Sequence, residues 1–271
     1  MKINRFIHRG TVDKEQNIQM TRVAILADSK RVLPKFLLRP LIKLLKFFQW
    51  LFLISLVLYL AVLILFRWLP LPTSAFIWHQ NQLAAHEPNI YKPASYEWIN
   101  WEDISPEIAI AVISAEDQRF PNHWGIDTVE LRKVISSAYR GEASFRGAST
   151  LTQQLAKNLF LWNGRSYVRK VMEAFIAVSL ELVWSKKRIL EVYLNVAQFA
   201  PVTFGVKASS KRLFNKLPKN LTLEQAAYLA AVLPTPAKSN VHKPSESLKK
   251  RQRWILQQIK QLGGVNYLKK L

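Results

Sequence analysis

The chain has 271 residues, enough for one large domain or two small ones, and carries 39 lysines and arginines against 18 aspartates and glutamates. A formal net charge of +21 implies an anionic partner: nucleic acid, acidic lipid or a phosphorylated substrate. With no cysteine, a disulfide framework, a thiol nucleophile and a thiolate metal site are all excluded.

Residues 1–46 read as a basic tail, with one short apolar patch at Val23-Ala24-Ile25-Leu26. From Phe47 to Phe66 the sequence carries no charge and is long enough to cross a bilayer as a helix, so 47–69 is the predicted transmembrane segment. No small-residue cleavage site of the kind that ends a signal peptide is evident after it. Lys35, Arg39, Lys43 and Lys46 precede the segment and Arg67 alone follows closely. This asymmetry predicts a cytoplasmic N-terminus and an exterior C-terminal bulk, with Trp50 and Trp68 as interfacial aromatics. Residues 70–97 form a connector that opens with Pro70 and Pro72, and 98–271 form the exterior domain.

Strand signals are scarce in that domain, and helical periodicity dominates. The apolar run Ile108–Ile113 leads into Glu116-Asp117-Gln118-Arg119-Phe120-Pro121-Asn122-His123-Trp124-Gly125-Ile126-Asp127. A carboxylate held against apolar neighbours becomes a usable acid or base near neutrality, and Phe120, Pro121 and Trp124 could supply that wall. A solvated Glu-Asp pair at a helix end fits the same residues. Gly125 permits a sharp turn, and Asp127 with Glu130 suggests a capped helix whose apolar face is Val129, Leu131, Val134 and Ile135. A loop from Arg140 to Gly147 follows. Thr150 and Gln153 match a capping box, so Gly147 to Thr150 opens a helix whose free amides suit an anion. Asn163-Gly164 is its expected stop. The next helix, from Ser166 to about Trp184, gathers Arg169, Lys170 and Glu173 on one face, and its apolar remainder predicts deep packing. An exposed ladder of ion pairs is the alternative meaning of that spacing. Ser185 caps a further amphipathic helix, Thr222 and Gln225 box another, and a basic helix runs from about Ser247 to Leu262.

In this order the segments EDQRFPNHWGID, RGASTLTQQLAKN, RSYVRKVMEA, KKRILEVYLN and LTLEQAAYLAAVLPTP resemble the peptidoglycan glycosyltransferases of glycosyltransferase family 51, the glycosyltransferase domain of class A penicillin-binding proteins. The resemblance covers about Pro70 to Gly264. It implies a mainly α, lysozyme-like helical glycosyltransferase domain behind one N-terminal transmembrane helix, in the bacterial inner membrane. It implies lipid II and the growing glycan strand as substrates, with undecaprenyl pyrophosphate released and a β-1,4 bond formed with inversion. Glu116 falls on the family's catalytic base and Glu173 on its second essential glutamate. Ser149, Gln153, Gln154, Lys157, Arg165, Arg169 and Lys170 fall on its phosphate and sugar contacts. Asp117, Phe120, His123 and Asn195 are the further substrate-binding positions implied. No cofactor or protein metal cage is expected, although a divalent cation at the pyrophosphate is compatible with the chemistry. Membrane lipids and other cell-wall synthesis or division proteins are the expected partners, and nucleic acid is not.

The chain departs from the family pattern at Ala200-Pro201 and Leu213-Phe214, where the family carries a glycine and a Tyr-Phe pair. Ser247-Leu248-Lys249-Lys250 matches the Ser-x-x-Lys of transpeptidases, but no Lys-Thr-Gly partner follows, and it reads as a helix start. A lytic glycan hydrolase would also use one glutamate, as an acid, but needs no set of pyrophosphate-binding cations. A non-enzymatic basic module draws its support from Arg251-Gln252-Arg253-Trp254 and leaves the carboxylates unexplained.

Overall fold

A computed structural model describes residues 35–141, 149–164, 166–236 and 243–271. The basic tail up to residue 34, most of the loop after Arg140, and Arg165 lie outside these residues. The chain divides into two units between Ala61 and Val62.

The first unit is the bulk of helix α1 (Lys35–Leu65), whose last turn belongs to the second. Its stretch Leu38–Leu65 covers 28 residues at a mean hydropathy of 2.5, and it is long and apolar enough to cross a membrane. Phe52, Val57 and Leu58 are among many large apolar side chains left exposed along it. The helix begins well before the predicted Phe47, because lysine, arginine and leucine continue a helix readily.

The second unit is mainly helical. Ser74 caps α2 (Ala75–His86), so the predicted connector is ordered here rather than a plain linker. Asn81 and Gln80 fold the following loop back by bonding Ala94 N and Lys92 O at 2.8 and 2.7 Å. That return delivers β1 (Ser95–Tyr96) to a small sheet of order β1-β3-β2, with β2 at Gln198–Ala200 and β3 at Thr203–Phe204. β1 runs parallel to β3, and β2 antiparallel.

The core is built on α3 (Pro106–Glu116), in which every residue from Ile108 to Ser114 is buried. Ser105 caps it and Pro106 occupies its first turn, where a missing amide costs nothing. Against it pack α9 (Leu223–Val232) and α10 (Glu246–Leu262), while α5 (Leu151–Phe160) packs on α7 (Lys186–Val196). The expected caps at Thr150, Ser185 and Thr222 are present, the first and last as full capping boxes, and Ser166 caps the helix that it begins. The cap of α10 is Ser245, so Ser247 lies inside the helix. α5 stops at Phe160, before Asn163-Gly164, because Leu161 already turns extended.

Two helices are less buried than their patterns predict. α4 (Thr128–Tyr139) buries no residue, and Val129, Leu131 and Ile135 are exposed. α6 (Tyr167–Val183) buries Glu173, Ile176, Ala177, Leu180 and Glu181. Its other face exposes Val168, Val171, Phe175, Val178 and Leu182. Spacings of three, four and seven residues make that second face a continuous apolar ridge.

α8 (Gly205–Phe214) completes the helical set behind the sheet. Gly205 has φ +78°, and a Cβ there would stand 2.4 Å from the Asn195 carbonyl oxygen, so only glycine fits. At the family departures, Pro201, Leu213 and Phe214 are half-buried. Ala200 is fully buried, Val202 takes the left-handed turn with φ 50°, and the Phe214 ring meets Tyr228 edge-on at 5.9 Å.

Candidate active site

Glu116 is the last residue of α3 and Asp117 its C-cap, so the two adjacent carboxylates leave the helix in different directions. Asp117 turns inward. It accepts from Leu151 N at 3.0 Å and from His123 Nε2 at 3.0–3.1 Å, tying the end of α3 to the start of α5. Thr150 donates to Gly125 O at 2.6 Å and fastens the same junction to the loop. Gly125 has φ +81°, and the backbone of Ala177 lies 3.0 Å from where its Cβ would be.

Glu116 keeps its carboxylate on the open side, with a side chain 13% exposed. Its Oε2 accepts from Gln154 Nε2 at 2.9 Å, and its Oε1 accepts from Arg251 Nη2 at 2.9 Å. Each oxygen therefore keeps one lone pair free of these two partners. Gln154 is held in turn by the Tyr193 hydroxyl, which donates to its Oε1 at 2.8 Å.

One helix further, Glu173 is buried and Lys170 Nζ lies 2.9 Å from its Oε2, with Arg169 paired to the other oxygen. Lys170 also donates to Ser149 Oγ at 2.7 Å. Burial and the nearby Arg169 guanidinium hold the ammonium groups of both Lys157 and Lys170 below the usual lysine range. Lys157 lowers Lys170 further, while Glu116 partly restores Lys157. Glu116 and the Lys157–Arg169–Lys170 cluster thus act on one another electrostatically. A partly open carboxylate stands at one place, and at the next, Arg169 and Lys170 share one buried carboxylate with the Lys157 ammonium within electrostatic reach of Arg169.

Five of the predicted contact residues have other occupations. Gln153 spends its side chain in the capping box, accepting from Thr150 N at 3.2 Å. Phe120 is fully buried, with the Lys186 ammonium 4.5 Å from its ring centre, whereas Trp124 is 69% exposed and forms no wall. Asn195 is fully buried and clamps Ile99 through both backbone groups, at 2.8 and 2.9 Å. Asp117 and His123 are buried in the junction described above, so these five shape the site from behind. Ser149, Gln154, Lys157, Arg169 and Lys170 do gather with Glu116 and Glu173.

Two residues in the site were missed by sequence reasoning. Arg251 belongs to a basic run, but it stands four residues before Ile255 and eight before Ile259, the buried positions of α10. That spacing turns it inward onto Glu116. Tyr193 lies among buried residues of α7 and reads as core. The α10 helix is fixed to α3 by Gln118, which donates to Gln258 Oε1 at 2.9 Å and whose carbonyl accepts from Tyr267 at 2.7 Å.

Asp117, His123 and Asp127 bring ligand atoms within 4.8 Å of one another. Their oxygens are already taken by His123, the Leu151, Val129 and Glu130 amides and Arg119. Burial opposes the charge of Asp127, yet these donors hold its pKa below the usual carboxylate value. The Asp117–His123–Asp127 set is therefore spent on the fold's own donors, whereas Glu116 keeps lone pairs open.

A family profile for transglycosylases matches residues 81–260. The chain belongs to the transglycosylase family. It is 48% identical over 223 residues to the biosynthetic peptidoglycan transglycosylase of Klebsiella oxytoca, covering 80% of this chain and 92% of that one. It is 46% identical over 222 residues to the protein of the same name from Escherichia coli (strain K12 / DH10B), again covering 80% and 92%. The Pectobacterium carotovorum protein of that name is 46% identical over 211 residues, 78% of this chain and 86% of the relative. The transglycosylase match starts inside α2, so the family domain includes part of what the sequence suggested was a connector.

Proposed function

We propose that this peptidoglycan glycosyltransferase polymerises lipid II, with Glu116 as the general base. Glu116 accepts the proton of the acceptor's 4-hydroxyl as that oxygen attacks the anomeric carbon of the donor. The bond to undecaprenyl pyrophosphate breaks, and a β-1,4 linkage forms with inversion. The observation that carries this reading is the pairing of one partly open carboxylate with the adjoining Lys157–Arg169–Lys170 cluster. Negative charge grows on the departing pyrophosphate, and preorganised cations stabilise it most at that moment. Glu173 acts here as the anchor that holds Arg169 and Lys170 in place. Ser149, through Lys170, and Gln154, through Glu116, set the positions of the reacting groups.

A lytic hydrolase would place one carboxyl group near a glycosidic oxygen and would have no use for three clustered cations. Incubating the detergent-solubilised protein with lipid II, or with finished glycan, separates the two. Polymer from lipid II is expected, and release of fragments from finished glycan without polymer formation would overturn the assignment.

The chain is read as a single-pass inner-membrane protein with a cytoplasmic N-terminus and a periplasmic catalytic domain. The apolar α1, the basic residues before it and the apolar ridge of α6 support this. Membrane lipids are therefore partners, and proteins of wall synthesis or division are further candidates. A reporter active only outside the cytoplasm should work when fused after Leu271 and fail when fused before Lys35. The opposite result would invert the topology.

A further inference from the structure

Gln154 carries the hydrogen bond to Glu116 Oε2, yet nothing in its own helix fixes its side-chain amide. It is partly exposed, and an amide is a two-ended group with donors on one side and an acceptor on the other. It meets the base usefully in one orientation, because the opposite orientation sets its carbonyl oxygen against a carboxylate oxygen. The other end of the amide meets Tyr193, which lies on α7 and is 1% exposed.

We propose that Tyr193 is a positioning residue for the transferase reaction, acting through Gln154 to hold the base Glu116 in place. This rests on Glu116 being the base. The hydroxyl of Tyr193 donates to Gln154 Oε1 at 2.8 Å, which leaves the amide nitrogen facing Glu116 at 2.9 Å. The donor is permanent under working conditions, because burial, and then the charge of Glu116, raise the tyrosine well above its ordinary pKa. Removing the hydroxyl leaves Gln154 Oε1 without its donor in a half-buried place, at a cost comparable to a lost hydrogen bond. The cheapest relief is for Gln154 to swing its amide to water, and Glu116 then loses the partner on Oε2. Arg251 alone would hold the other oxygen, and the carboxylate would be free to turn about its own side-chain bonds.

The test is a double-mutant cycle on polymerisation of lipid II, using the full-length protein in detergent. Tyr193→Phe keeps the ring and removes only the hydroxyl, and Gln154→Leu removes the amide from the more exposed side. Each should lower kcat about tenfold while KM for lipid II changes less than about twofold. In the Gln154→Leu background, Tyr193→Phe should cost nothing further, because the route by which it acts is already cut. A hydroxyl that matters only to core packing would lower the thermal midpoint and would multiply with Gln154→Leu instead. Full kcat in Tyr193→Phe, or multiplying losses in the double variant, overturns the proposal. Should Tyr193→Phe fail to fold, Gln154→Leu still decides: unchanged kcat there rules the route out. The Glu116→Gln protein, assayed alongside, keeps the two readings apart. If it polymerises normally, the base assignment fails. If it is inactive while Tyr193→Phe is normal, only the relay fails.

Discussion

The two glutamates of the site, one half-buried and one buried, are the same residue in opposite surroundings. Glu116 ends a wholly apolar helix and is met by one neutral amide and one arginine that is itself a third exposed. Glu173 sits near the start of α6 between Arg169 and Lys170, with a side chain 4% exposed. The first carboxylate retains lone pairs and access, which proton transfer requires. The second is saturated by cations, and its removal would leave those cations repelling each other. Residue type alone therefore does not assign a role. The donors that reach each oxygen do.

The comparison breaks most sharply at Glu116. Replacement by Gln preserves shape and most hydrogen bonding but removes the proton acceptor, so kcat should fall at least about a hundredfold. Binding of lipid II and the thermal midpoint should change little. Steady-state polymerisation beside a binding titration would check this, and near-normal turnover would return Glu116 to a structural role.

Glu173→Gln should behave in the reverse manner. Deleting one partner of a buried ion pair is costly because the other is left uncompensated. Lys170 is 46% exposed and screened by water, so the loss is discounted to about 2 kcal/mol. Turnover should fall about tenfold, through misplaced Arg169 and Lys170, and affinity for lipid II should fall with it. A variant of full stability with Glu116-like loss of kcat would show that Glu173 takes part in the chemistry directly.

Much of this contrast could be read in the sequence, because caps and periodicity are local signals. Ser105, Thr150, Ser166, Ser185 and Thr222 announce their helices, and Arg169, Lys170 and Glu173 meet by i,i+3 and i,i+4 spacing alone. What stayed hidden was long-range. The Glu116 contacts come from Gln154, 38 residues away, and Arg251, 135 residues away, and no local pattern encodes such pairings. The apolar remainder of α6 predicts core, yet half of it is exposed, since periodicity reports that a face is apolar and not what covers it. The family resemblance places Asn195 and Phe120 among substrate-binding positions, and both are fully buried. Inside a family motif, a residue that supports the backbone looks the same as one that touches a ligand.

The smallest effect, and the one that sharpens the comparison most, belongs to the cations. Burial and Arg169 depress the pKa values of Lys157 and Lys170, so both should shed their protons at a lower pH than a free lysine would. Activity should then decline on the alkaline side, as the charges that meet the pyrophosphate disappear. Stability should move the other way. In the window between the depressed folded value and the ordinary unfolded one, the unfolded chain binds more protons than the folded chain. Raising the pH through that window therefore favours the fold. Lys170→Met removes one of the two groups, and it should reduce kcat several-fold at neutral pH and shrink the alkaline gain in thermal midpoint relative to the parent. Lys249 offers the control, since its partner among the described residues is the exposed Glu246 at the start of α10. Lys249→Met should leave both profiles unchanged to within about 0.5 kcal/mol in stability. If Lys170→Met keeps the parent's kcat and alkaline profile while Lys249→Met loses turnover, the pyrophosphate is bound on a different face from the one built by Lys157, Arg169 and Lys170.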